Sequence, residues 1–127
     1  MSKSIMVVDD DVLLLKVIKT CLINRGYSVH TFDTGSDAVK YLFEDEPDVV
    51  ILDVRLPDCD GWFIARLLDR LYSRKNIQLI MMSVMDEDNS KISEFKPYAY
   101  IQKPFDIGKL LDTVGKSLEY PQESIRV

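Results

Sequence analysis

Apolar residues come along this chain in two rhythms. Some form short unbroken runs: Ile5-Met6-Val7-Val8 stops against Asp9-Asp10-Asp11, and Val49-Val50-Ile51-Leu52 stops against Asp53. Runs without alternation fit strands of a sheet covered on both faces. Gln78 to Met82 and Ala99-Tyr100-Ile101 read the same way. Tyr27 to Phe32 alternates instead, with Tyr27, Val29 and Thr31 on one side and His30 and Phe32 on the other. Between these strands the spacing turns helical. Residues 11–25 bring Leu14, Ile18, Cys21 and Leu22 to one face, and Gly26 ends the pattern. Residues 35–45 do so with Ala38, Val39, Leu42 and Phe43 before Pro47, and Trp62 to Tyr72 with Phe63, Leu67, Leu68 and Leu71. Residues 86–95 predict only a weak, polar helix. Asp106 caps a last helix running to Leu118.

Five strands alternating with five helices predict an α/β fold, a parallel sheet with helices on both faces. One domain is expected over 4–119, with 120–127 a short tail or the start of a linker. In a parallel sheet the carboxyl ends of the strands share one rim, and ligands bind there, where the strand order reverses. Asp9 and Asp10 follow the first strand, Asp53 the third, Ser83 the fourth and Lys103 the fifth. If the first and third strands are neighbours, the doubly wound order 2-1-3-4-5 follows and the three aspartates converge.

Carboxylates brought together repel unless a cation lies among them, and hard oxygen donors suit Mg²⁺, with Mn²⁺ as a second choice. A metal would also keep Asp53 ionised, because neighbouring negative charge raises a carboxyl pKa. An ionised carboxylate can attack phosphorus and form an acyl phosphate. Lys103 and the Ser83 hydroxyl are then placed to take phosphoryl oxygens, in a reaction that depends on positioning and electrostatics.

Composition removes competing readings. The chain has 127 residues, 46% of them hydrophobic, which suffices for one domain with its own core. A net charge of −5 without a basic stripe argues against direct nucleic-acid binding. Cys21 and Cys59 form no metal-ligand spacing and no disulfide framework; Cys21 reads as a small core residue and Cys59 as an exposed loop residue. No apolar run approaches the ~20 residues of a membrane span, and Met-Ser-Lys-Ser, too short for the charged region of a signal peptide, is not expected to be one. A cytoplasmic protein is expected. Asp11 reads as a helix cap, His30 as a surface strand residue and Trp62 as loop packing.

Together these motifs resemble the signature of response-regulator receiver domains. They are Val7-Val8-Asp9-Asp10, Ile51-Leu52-Asp53 with Leu56-Pro57 and Asp60-Gly61, Ser83, and Lys103-Pro104-Phe105, over about residues 4–118. The resemblance implies a flavodoxin-like (βα)5 fold and phosphorylation of Asp53 by a sensor histidine kinase or phosphotransfer protein. It implies metal binding by Asp10 and Asp53, with Asp9 nearby and the Arg55 backbone carbonyl as a further ligand. Ser83 and Lys103 would bind phosphoryl oxygens, Lys103-Pro104 would be a cis peptide, and Tyr100 would be the switch aromatic that turns inward with Ser83. A change in the face from the fourth strand to the fifth helix would alter binding of a downstream protein, with a homodimer left open. Such a domain acts on itself and is not a multiple-turnover enzyme.

The chain departs from the pattern at Val84, where the family has a small residue, and at Phe95-Lys96-Pro97-Tyr98-Ala99, which replaces a Gly-Ala turn. Val84 is expected to narrow access to the site, and the Arg55 side chain to influence acyl-phosphate lifetime. Two other functions compete. One is a receiver-like interaction module that is not phosphorylated. The other is a small haloacid dehalogenase-like phosphatase with Asp9 as nucleophile and Asp11 as acid/base, which would leave Asp53, Pro57 and Gly61 unexplained.

Overall fold

The computed structural model of the chain describes residues 2–74, 76–86 and 88–119. The expected tail or linker at 120–127 lies outside the described residues. Strands and helices alternate as β1 (Ser4–Val8), α1 (Val12–Asn24), β2 (Ser28–Phe32), α2 (Gly35–Leu42), β3 (Val49–Asp53), α3 (Gly61–Leu71), β4 (Gln78–Ser83), α4 (Asn89–Phe95), β5 (Ala99–Gln102) and α5 (Ile107–Glu119). All sheet pairings are parallel, in the order β2-β1-β3-β4-β5. The order reverses between β1 and β3, so the expected rim exists.

Why the strand runs are apolar throughout is plain from the two cores. Ile5 and Val7 face one cluster, which α1 and α5 cover with Leu15, Ile18, Leu22, Leu110 and Val114. Met6 and Val8 face the other, covered from α2 and α3 by Ala38, Leu42, Ile64, Ala65 and Leu68. Each fully buried Val, Leu, Ile or Met side chain among these stabilises by about 1.5–3 kcal/mol.

Three faces differ from the periodic reading. Phe43 is 65% exposed because α2 stops one residue earlier, at Leu42. Phe63 is 57% exposed and Trp62 only 5%, because Asp60 caps α3 one residue before Gly61 and the second core lies over Trp62. Cys59 is half-buried against that core and not exposed as expected, since α2 approaches so closely that a side chain on Gly35 would collide with the thiol.

Helix α4 begins later than residue 86 because the Asp88 carboxylate accepts from the Ser90 and Lys91 N–H groups, at 3.1 and 3.3 Å, and starts the helix there. It ends on Lys96, which has φ 49° in the left-handed region and bonds back to the Ile92 carbonyl at 2.8 Å. A Cβ is unfavourable in that conformation. Lys96→Gly is therefore expected to raise unfolding free energy by about 0.5–1 kcal/mol. Urea titration would read this as a higher midpoint at an unchanged slope, and a lower midpoint would contradict it.

Candidate functional site

Each site residue is placed by the strand it ends. The N–H of Asp9 donates to the Phe32 carbonyl at 3.1 Å, which carries the chain one residue past β1 before it turns. Asp9 is wholly buried. Its Oδ1 accepts from the Asp11 N–H at 2.9 Å, and its Oδ2 accepts from Lys103 Nζ at 2.5 Å. Asp10 is exposed, and Asp11 caps α1 as expected, accepting from the Leu14 N–H at 3.1 Å. Asp53 closes β3 and is only 6% exposed. Its Oδ1 takes the Arg55 N–H at 3.3 Å, and its Oδ2 takes Lys103 Nζ at 3.1 Å.

Lys103 follows β5. Its N–H donates to the Ser83 carbonyl at 2.7 Å, and the Lys103-Pro104 peptide is cis, as expected. One ammonium thus bridges two buried carboxylates from β1 and β3. One oxygen each of Asp9, Asp10 and Asp53 lies within 4.8 Å of the others. Three carboxylates against one ammonium leave a surplus of negative charge. Hard, anionic oxygens of this kind fit Mg²⁺, with the exposed side of Asp10 open to coordinated water.

Burial pushes the Asp53 carboxyl pKa up, and the Asp9 charge pushes it further; the Lys103 contact and the Arg55 N–H only partly offset this. For Lys103, burial works to lower the pKa, but the hydrogen bonds and charges of Asp9 and Asp53 outweigh it and the ammonium is held above its ordinary range. Lys103 therefore stays charged at neutral pH.

The segment after Asp53 is braced at several points. Gly61 N–H donates to the Val54 carbonyl at 2.6 Å, Leu56 N–H to the Cys59 carbonyl at 3.1 Å, and Arg55 pairs with Asp60 as an isolated bridge. A Cβ on Gly61 would collide with the Asp53 carbonyl, so no larger residue fits without displacing the Asp53 backbone. At the tip of this segment Asp58 accepts from the Gly35 and Ser36 N–H groups at 2.7 and 2.8 Å. Those bonds hold its carboxyl below the usual range. Asp58 carries no motif that singles it out in the sequence. The free N–H groups at the start of α2 were a signal, but nothing local names a partner more than twenty residues away.

Ser83 is buried, and its Oγ accepts from the Met85 N–H at 3.0 Å. The Tyr100 hydroxyl lies 3.1 Å from the Met85 carbonyl and 3.4 Å from that of Asp86. Ser83 and Tyr100 are thereby joined through one residue that the sequence did not single out. Val84 is 67% exposed, so its side chain stands in solvent and does not pack over the carboxylates. Trp62 stacks on Phe95, while His30 lies away from the rim with its ring centroid 4.8 Å from that of Tyr41. Among the described residues, no helix is long and apolar enough to cross a membrane.

Comparison with known proteins agrees with this geometry. The family model for the response regulator receiver domain matches residues 5–115. The beryllofluoride-activated receiver domain of DrrB is 36% identical, with a TM-score of 0.81 over 94% of this chain and 99% of that one. A receiver domain protein from Methanospirillum hungatei is 26% identical, with a TM-score of 0.87 over 97% of this chain and 98% of that one. The response regulator TrrA from Thermotoga maritima, solved with Mg²⁺ and beryllofluoride, is 29% identical, with a TM-score of 0.77 over 91% and 98%. With the strand order, the rim carboxylates and the family match in agreement, this chain belongs to the response regulator receiver domains.

Proposed function

We propose that Asp53 accepts a phosphoryl group from a phosphohistidine of a sensor histidine kinase or phosphotransfer protein, and that the acyl phosphate switches binding of a downstream protein. The observation that carries this reading is Lys103 Nζ bridging Asp9 and Asp53 at the sheet rim, with Asp10 in the same cluster. An ionised Asp53 oxygen attacks phosphorus. The new O–P bond forms as the N–P bond to the imidazole breaks, and the imidazole leaves with the electron pair and takes up a proton. Asp10 and Asp53, beside Asp9 and with the Arg55 carbonyl, would hold Mg²⁺; when bound, the ion supplies positive charge to the transferring oxygens and to the carboxylates. Lys103 has a third N–H to offer a phosphoryl oxygen, and Ser83 a hydroxyl for another.

The switch follows from the same atoms. A Ser83 hydroxyl drawn to a phosphoryl oxygen loosens its hold on the Met85 N–H, and Met85 in turn meets Tyr100. Displacement of that segment and of Tyr100 alters the surface from β4 to α5 that the partner reads. In this role the chain is a cytoplasmic phosphoprotein whose chemistry acts on itself, with no small-molecule turnover. The phosphatase reading fits less well: Asp9 is wholly buried with both oxygens engaged, and Asp11 caps a helix.

Incubation with a small phosphodonor and Mg²⁺ is expected to add one phosphoryl group by intact mass, and Asp53→Ala to abolish it. Equal incorporation in that variant would reject the assignment, and no Mg²⁺ binding at all would favour an unphosphorylated docking module. Turnover of a phosphate ester lost in Asp9→Asn but kept in Asp53→Asn would restore the phosphatase reading.

A further inference from the structure

We propose that α4 is held in place by one aromatic latch, Phe95 stacked on Trp62, and that loading of the Asp53 site releases it. The release rests on the phosphoacceptor reading above; the latch itself does not. Helix α4 has seven residues, too few to persist without tertiary support. Phe95 is its one buried residue, at 4% exposure, with Ile92 half-buried beside it. The Phe95 ring lies 5.4 Å from Trp62, at 21° between planes. Two cations border the same ring: Arg66 at 5.1 Å and Lys91 at 6.0 Å from its centroid. Arg66 also pairs with Glu94 at 3.1 Å, and Arg74 donates to the Phe95 carbonyl at 3.1 Å. Among the described residues, the aromatic, cation and carbonyl contacts that fix α4 to the body thus gather on one ring and the residues around it, with Ile92 packed beside it.

Trp62 is also tied to the phosphoryl site. It follows Gly61, whose backbone lies against the Asp53 carbonyl and donates to Val54. Beside Trp62 is a recess of about 210 Å³, bordered by Val54 and Arg55 on one side and by Met85 and Tyr100 on the other. One wall is the segment that follows Asp53. The other is the segment that Ser83 and Tyr100 hold through Met85. A phosphoryl group pulling on Ser83 moves the second wall while the first stays braced. The space beside Trp62 then changes, and with it the support of the ring stacked on it. Packed interfaces of this kind switch between discrete arrangements and do not deform smoothly. A short helix with one buried anchor is the element with least local stability to lose.

Trp62 is the only tryptophan of the chain, so its emission reports the latch directly. The test uses the full chain, free and after treatment with phosphodonor and Mg²⁺, reading intact mass, Trp62 emission and amide exchange over 89–95. Loading is expected to shift the emission to the red and to speed exchange in α4 by about tenfold. Phe95→Leu is expected to show both changes before loading and little more after it; Phe95→Tyr, which keeps a ring to stack, should behave like the parent. Should Phe95→Leu fail to fold, Arg66→Met removes a surface cation from the same ring and is expected to speed α4 exchange several-fold in the free protein. Parental exchange in Arg66→Met would overturn the latch. A mass gain with unchanged emission and unchanged α4 exchange would overturn the coupling alone. No mass gain would overturn the phosphoacceptor reading, and the proposed release with it.

Discussion

Replacing Lys103 by methionine in the metal-free protein is expected to lower stability by about 3–5 kcal/mol, roughly 10–20 °C in Tm. The side chain is of similar length, so the loss is electrostatic. Asp9 is wholly buried and Asp53 nearly so, and without the ammonium both lose the one cation that contacts them among the described residues. Breaking a buried pair from one side leaves the surviving charge desolvated, which costs more than the pair contributed. Because the defect is a missing positive charge, Mg²⁺ is expected to restore much of the lost Tm. Thermal melts at neutral pH, with and without Mg²⁺, check both. A variant that melts with the parent would show that the bridge bears no weight.

Asp53→Asn is expected to act in opposite directions on function and on stability. Phosphoryl incorporation should vanish, since an amide has no anionic oxygen to attack phosphorus. The metal-free protein should nevertheless become more stable at neutral pH. The sign follows from the raised pKa of Asp53 in the folded state. Below the ordinary carboxyl range the group is protonated both folded and unfolded, and the fold keeps the full benefit of the proton. As pH rises from about 4 through the raised folded value, the unfolded chain ionises more readily and that benefit is lost. The Tm difference between Asp53→Asn and the parent should therefore widen across that window, and narrow again when Mg²⁺ is added to the parent. A variant less stable than the metal-free parent at neutral pH would contradict the electrostatic account.

The rim was legible because its residues sit at points where an apolar run meets a charge. Asp9, Asp53, Ser83 and Lys103 each follow or close a strand, and a parallel sheet brings such positions to one edge. Neighbouring residues were harder to tell apart. Phe63 and Trp62 differ by 1 position, about 100° around a helix, and the choice between them depends on where Asp60 starts α3 and on Phe95 from a distant helix. Asp9 and Asp10 look alike in sequence, yet one is wholly buried and one exposed. That difference comes from the Phe32 and Lys103 contacts, both across the sheet. Met85 carried no chemical signal at all; it matters through its backbone, which any residue but proline would offer.

The cross-brace at Asp58 bears on how a cation would be received. Its carboxylate spans to the start of α2 while Gly61 secures the other end of the same segment, so the chain between Asp53 and α3 is fastened at its tip and its root. Helix α2 thereby serves as the abutment for the segment that carries Arg55. Ordering a free loop costs conformational entropy at the moment of binding, and here that cost is met during folding. On the proposed reading an incoming Mg²⁺ would meet a cradle already set, and its affinity would be governed by how readily it sheds water and by the charge it neutralises.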